Sequence, residues 1–228
     1  MLWRMDTAFP DGTETEKTTG WRGSRALWLD AARRALLDSG LEAVKIQPLA
    51  SQLNLSRTSF YWFFKDRQAL LDALLDDWEA RNTGAFVLAR EAYAETIAEA
   101  ILNLIAVFYD PHLFDPELDF AVRAWGQGTG AVKARVTAAD AARLDAIRAM
   151  FQRFGFDSDD SDVRARTVYL TQIGYISMQV REDMATRLLR VPGYVKAFTG
   201  TSPTENELAR FHARLTSAPA RPTASPAL

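Results

Sequence analysis

The chain has 228 residues, no cysteine and only two histidines. Without thiols there is no disulfide and no thiolate metal site, so the fold must rest on packing. His112 and His212 lie far apart in sequence. His112 sits in Asp110-Pro111-His112-Leu113-Phe114-Asp115-Pro116, which reads as turn chemistry. Clustered His or Glu-x-x-His ligands are missing, and no nucleophile–base pair stands out. No metal, no resident cofactor and no enzyme activity are therefore expected. Long apolar runs are scarce too. The longest, around Ala100 to Tyr109, is interrupted by Asn103 and falls well short of the roughly 20 residues a bilayer requires. Met1 to Lys17 has no apolar h-region, so no secretory signal and no membrane partner are expected, and the composition suits the cytoplasm. No stretch alternates apolar and polar residues long enough to make a strand.

What is present is ordinary globular mass, 48% hydrophobic and 25% charged, with a net charge of −2. The charge is unevenly spread. Between Trp21 and Arg67 the cations are Arg22, Arg25, Arg33, Arg34, Lys45, Arg57, Lys65 and Arg67, against Asp30, Asp38, Glu42 and Asp66, a local excess of +4. A local positive excess on a slightly acidic chain is what a polyanion-binding module needs, although chance produces such excesses too.

Residues 1–22 are polar and aperiodic and read as a disordered arm. Repeated proline makes 217–228 a disordered tail. Between them, apolar residues recur at three- and four-residue intervals, so the fold class is all-α. The first helix is expected over 25–39, with Ser24 as N-cap and Gly40 as its stop. A second spans 46–53, with Pro48 in its first turn. Asn54 supplies a left-handed turn residue. Ser56 caps a third helix over 57–64, and Asp66 caps a fourth from Arg67 toward Asn82.

Two short helices joined by a tight turn form a helix-turn-helix, whose second helix presents its start to the DNA major groove. Here that start is Arg57, Thr58 and Ser59. Arg57 can pair bidentately with a guanine edge, and Thr58 and Ser59 can donate to a base or a phosphate. Tyr61 carries a hydroxyl suited to phosphate, and Lys65 and Arg67 add charge at backbone distance. Phe60 and Phe64 share one face and are expected in the core. Trp62 either contacts the sugar-phosphate backbone or packs on a neighbour.

The run Ala31-Ala32…Leu36…Gly40…Ile46…Leu49-Ala50…Leu53-Asn54-Leu55-Ser56…Phe60-Tyr61…Phe64…Arg67…Leu70 resembles the TetR-family DNA-binding domain without a gap over about 45 residues. The resemblance puts that family's core alanines at Ala31 and Ala32 and its phosphate-contacting tyrosine at Tyr61. Asn54 replaces the usual turn glycine, Thr58 a glycine of the recognition helix, and Arg67 the lysine that follows it. Lys45 stands where Thr or Ser usually opens the second helix. Both Lys45 and Arg67 keep a group able to meet phosphate.

The resemblance implies an N-terminal three-helix DNA-binding domain over 23–67, a linking helix over 68–84 and a helical ligand-binding and dimerisation bundle over 85–216. It implies a repressor acting as a homodimer on palindromic double-stranded operator DNA and released by a small-molecule effector. The alternative is an all-α small-molecule-binding protein with a vestigial helix-turn-helix. Later helices are expected over 86–109, 115–127, 130–154, 160–190 and 203–216. Candidate effector-pocket residues are Trp78, Tyr109, Phe120, Arg123, Trp125, Tyr169, Gln172 and Tyr175. Arg123, among apolar neighbours, needs an anion, either a ligand carboxylate or an internal Asp or Glu. Leu170, Ile173, Gly174, Ser177 and Met178 form a stripe of apolar and small residues that is either the dimer face or an intrachain core stripe. Gly126-Gln127-Gly128-Thr129-Gly130 follows a helix rather than a strand, so a flexible connection is expected rather than a dinucleotide loop.

Overall fold

Helix starts follow the polar caps. Ser24 accepts from the Leu27 N–H at 3.2 Å, Ser56 from Ser59 at 3.3 Å, and Asp66 from Ala69 at 2.8 Å. The computed structural model describes residues 23–217; the expected arm, and the tail beyond 217, lie outside the described residues. These contain eleven α-helices and no strand.

The head is built from α1 (Arg25–Ser39), α2 (Ile46–Gln52) and α3 (Arg57–Phe60). A 3₁₀ turn, Leu41–Ala43, joins the first two. Asn54 adopts φ 53°, the left-handed turn its short polar side chain permits. Trp28, Phe60 and Phe64 form the aromatic centre. Trp28 meets Phe60 edge-on at 5.3 Å, and Phe60 stacks on Phe64 at 5.5 Å. The third helix is shorter than expected. After Phe60 the chain tightens into i→i−3 bonds, Tyr61 N–H to Thr58 O and Phe63 N–H to Phe60 O, which swing Phe64 back under Trp28's layer.

From Asp66 a single rod leaves the head: α4 (Arg67–Trp78), a π-helical turn over Glu79–Thr83, and α5 (Gly84–Glu91). Its apolar side, Leu70, Leu71, Leu74, Leu75 and Trp78, is buried. That side belongs to the same core as Leu118, Val122 and Trp125 of α7 (Pro116–Gly128), so head and body share one apolar interior at this joint.

The body adds α6 (Ile97–Tyr109), α8 (Gly130–Arg153), α9 (Ser158–Ser177), α10 (Met184–Thr199) and α11 (Glu205–Ser217). Two expected helices are divided. The span 86–109 breaks before Thr96, which caps α6 by accepting from Glu99 N–H at 3.1 Å. The span 160–190 breaks at Gln179, φ 50°, and restarts where Asp183 accepts from Thr186 N–H at 2.9 Å. That second break turns α10 back over α6 and α9. Within the glycine-rich run the connection is the single residue Thr129. A Cβ on Gly126 would lie 3.4 Å from the Lys133 backbone, so glycine is what lets α7 and α8 meet so tightly.

Candidate functional site

The head presents one polar-aromatic strip. Arg57, Thr58, Tyr61 and Trp62 are exposed at the start and end of α3, with Trp62 63% exposed. The strip projects outward because Phe60, one residue before Tyr61, is fully buried under Trp28. Arg57 lies along Tyr61, its guanidinium donating to the Tyr61 hydroxyl at 3.2 Å. That bond uses the phenolic oxygen as acceptor and leaves its O–H free to donate outward. Lys45, at the opening of α2, and Lys65, before α4, are exposed.

Two expected DNA contacts are corrected. Ser59 is buried, and its hydroxyl donates to Ser56 O at 2.7 Å, so it closes the cap rather than facing a groove. Arg67 turns inward. Its Nε donates to Val44 O at 2.5 Å and a terminal nitrogen to Leu41 O at 2.9 Å, tying the start of α4 to the 3₁₀ turn.

Three expected pocket residues lie in a buried polar core at the joint instead. Trp78 Nε1 donates to Asp119 Oδ1 at 2.9 Å, and Arg143 donates to the same oxygen at 2.9 Å, with Arg143 and Asp119 both fully enclosed. Arg123 bonds Asp119 at 2.8 Å, Asp140 at 2.6 Å and the Tyr169 hydroxyl at 3.0 Å, and Tyr169 donates to Asp140 at 2.6 Å. Of the two roles open to Arg123, the internal ion pair is the one made. Burial pushes the Asp119 carboxyl up, but Arg143 and Arg123, with hydrogen bonds from Arg123 and Trp78, hold it below the ordinary carboxylate range. Burial raises the Tyr169 hydroxyl, which therefore stays protonated and donating. Asn82, in the π-turn, spans the same region, donating to Asp115 O and accepting from Asp115 N–H, each at 3.0 Å.

The remaining pocket candidates gather around open space. A cleft of about 880 Å³ runs between the end of α1, α7 and the segment joining α9 to α10. Phe120, Trp125, Gln172 and Tyr175 line it, and Leu37 and Leu41 of the head form its opposite wall. A smaller cavity of about 50 Å³ lies between α6, α9 and α10, where Tyr109 and Tyr194 stand with Tyr175. Both are lined by Phe108, Gln172, Tyr175 and Arg187, so they adjoin there. Burial raises the Tyr109 hydroxyl against the opposing pull of Arg187.

The small-residue stripe lies on the outer side of α9. Leu170 is 58% and Met178 77% exposed, Ser177 is exposed, and Gly174 faces open space. Ile173 packs partly on the body core. Leu189 of α10, 83% exposed, adds a further open apolar side chain.

Sequence reasoning missed Arg143, Asp119 and Asn82, polar residues on amphipathic helices, Asp115, which lies in the Asp110–Pro116 turn run, and Arg187, which lies inside the single helix expected over 160–190. The Asp183 cap was the one local signal of the break at Gln179.

Residues 29–74 match the model of the bacterial regulatory proteins of the tetR family. Among solved structures, the fold is similar to a transcriptional regulator of the TerR/AcrR family from Aquifex aeolicus VF5, at 12% identity and TM-score 0.57, covering 78% of this chain and 96% of that one. It is similar to GusR of Salmonella enterica, at 17% identity and TM-score 0.54, covering 85% and 94%. It is also similar to AmtR of Mycobacterium smegmatis, at 16% identity and TM-score 0.58, covering 88% and 96%. No curated protein matches the chain.

Proposed function

We propose, from the match of residues 29–74 to the tetR family model and a fold similar to that of transcriptional regulators, a ligand-responsive repressor that binds a palindromic operator as a homodimer. The observation that carries the DNA reading is the outward strip Arg57, Thr58, Tyr61 and Trp62 on a helix anchored from behind by Phe60. Arg57 reads a base edge, Thr58 adjusts the approach, and Tyr61, Lys45 and Lys65 meet phosphate. The open stripe on α9, with Leu189, supports a twofold contact through α9 and α10. Such a dimer sets two recognition helices about 34 Å apart or a multiple of it, hence the palindrome. The cleft, walled by head and body together, supports a small-molecule effector whose preference for the DNA-incompetent arrangement sets the response.

Gel-shift titration with a duplex from the region upstream of the chain's own gene tests this reading. Specific binding over a scrambled duplex is expected. Equal affinity for both, or no binding at low salt, refutes it.

A further inference from the structure

Arginines of the body are mostly spent on carboxylates: Arg123 and Arg143 on Asp119, Arg135 on Glu79, Arg148 on Asp162, Arg164 on Asp160. Arg187 is different. It is half-buried on α10, lines both the cleft and the cavity behind it, and makes no ion pair among the described residues. Two rings hold it instead: its guanidinium carbon lies 5.2 Å from the Tyr109 centroid and 5.4 Å from that of Tyr175. Glu182, on the connecting segment before α10, is engaged by Arg190 through Oε1, and its Oε2 is buried without a hydrogen-bond partner. A guanidinium fixed by aromatic faces, partly dehydrated and with its forked donors unspent, is a carboxylate receptor.

The walls on either side limit the rest of the ligand. Phe108, Phe120 and Trp125 offer flat apolar surface, and Leu37 and Leu41 close the head side. Asp38 stands exposed at the end of α1, while Arg181 of the segment joining α9 to α10 adds a second cation to the lining, so the carboxylate belongs at the Arg187 end of the cleft. The volume suits a ligand of ordinary drug-like size or smaller.

We propose that the cleft binds an aromatic carboxylate, with its carboxylate on Arg187 and its flat body lodged between α7 and the end of α1. This rests on the regulator reading and gives it an effector class. The ligand touches the DNA-binding head directly, so seating it shifts α1 against the body and alters the reach of the two recognition helices.

Full-length protein titrated by calorimetry with cinnamate, 1-naphthoate and 4-phenylbutyrate, each beside its uncharged primary amide, tests the assignment. At least one acid is expected to bind about tenfold or more tightly than its amide. Arg187→Gln, checked for folding by circular dichroism, should lose that preference, and Arg187→Lys should restore part of it. Leu37→Trp, which fills the cleft from the head side, should weaken acid and amide alike. Failure of all three acids to bind, equal binding of acids and amides, or a preference that survives Arg187→Gln overturns the proposal. The duplex titration is read separately. Acid-selective binding by a chain that ignores DNA sinks the regulator reading alone, and specific DNA binding by a chain indifferent to these acids sinks this one alone.

Discussion

Arg33, on α1 of the head, donates through two nitrogens to one carboxylate oxygen of Asp115, the residue that caps α7 of the body. The two are 82 residues apart in sequence. Asp115 is almost fully buried and also bonds Asn82 of the π-turn through its backbone, so one residue joins the head, the rod and the body. The position of the head relative to the cleft is thereby set by a charged contact rather than by apolar packing alone.

If that tie couples the two parts, Arg33→Ala and Asp115→Asn should not be additive. A double-mutant cycle in urea is expected to give an interaction energy of roughly 1–3 kcal/mol. A value near zero would mean the contact is incidental.

On the DNA side, the roles separate by readout. Arg57→Ala should cost about 1–3 kcal/mol of discrimination at one base position. Tyr61→Phe should weaken binding to specific and scrambled duplexes alike, and Lys65→Ala should reduce the salt slope by about 1. Ser59→Ala should leave base preference unchanged, because its hydroxyl is spent on Ser56 O. Arg67→Ala should lower the melting temperature of the head while leaving the salt slope unchanged, since its donors go to Val44 O and Leu41 O. Gel shifts over a salt series, with thermal melts, check all five.

Removing the central carboxylate should be severe. Asp119→Ala strands Arg143 in an enclosure of Trp78, Phe86 and Phe114, with one guanidinium nitrogen already lacking a hydrogen-bond partner. A loss of about 3–5 kcal/mol is expected in denaturant melts. A loss below about 1 kcal/mol would show that the core tolerates an uncompensated cation.

The same carboxylate makes stability depend on pH. Asp119 is held below its ordinary value of 3.8 in the folded chain, so the unfolded chain takes up its proton first. Its contribution is complete above that ordinary value and is lost as pH falls through the lower folded one. Urea midpoints measured from pH 5 downward should therefore fall more steeply for the native chain than for Asp119→Asn. Parallel profiles would contradict the assignment.

For assembly, Leu170→Glu combined with Met178→Glu places charge on the open face of α9 without touching the body core. Light scattering is expected to read a dimer for the native chain and a monomer for the variant. A variant of unchanged mass would move the contact elsewhere.

How far a residue could be read depended on how far away its partner lies. Ser24, Ser56 and Asp66 accept from backbone N–H groups three residues on, Asn54 needs only its own left-handed φ, and each stands where its chemistry indicated. Ser59 and Arg67 looked like DNA contacts because polar residues at a recognition helix are read by type. Ser59 found its acceptor three residues back, and Arg67 found carbonyls 23 and 26 residues away. Nothing local marks Gln179 as a left-handed residue, so α9 and α10 read as one helix and Arg187 went unnoticed.

The order of residues by itself determined the all-α class, the helix-turn-helix and the outward placement of Arg57, Thr58 and Tyr61, because helical periodicity and capping act over three or four positions, and it left Trp62 open. Only tertiary structure decided that Asp119 and Arg143 face each other inside the joint, that Asp115 holds Arg33, and that Arg187 stands at the cleft with no carboxylate partner among the described residues. Those outcomes depend on which helices are brought within hydrogen-bond reach, and a charged residue on an amphipathic helix looks the same in sequence whether water or another helix covers it.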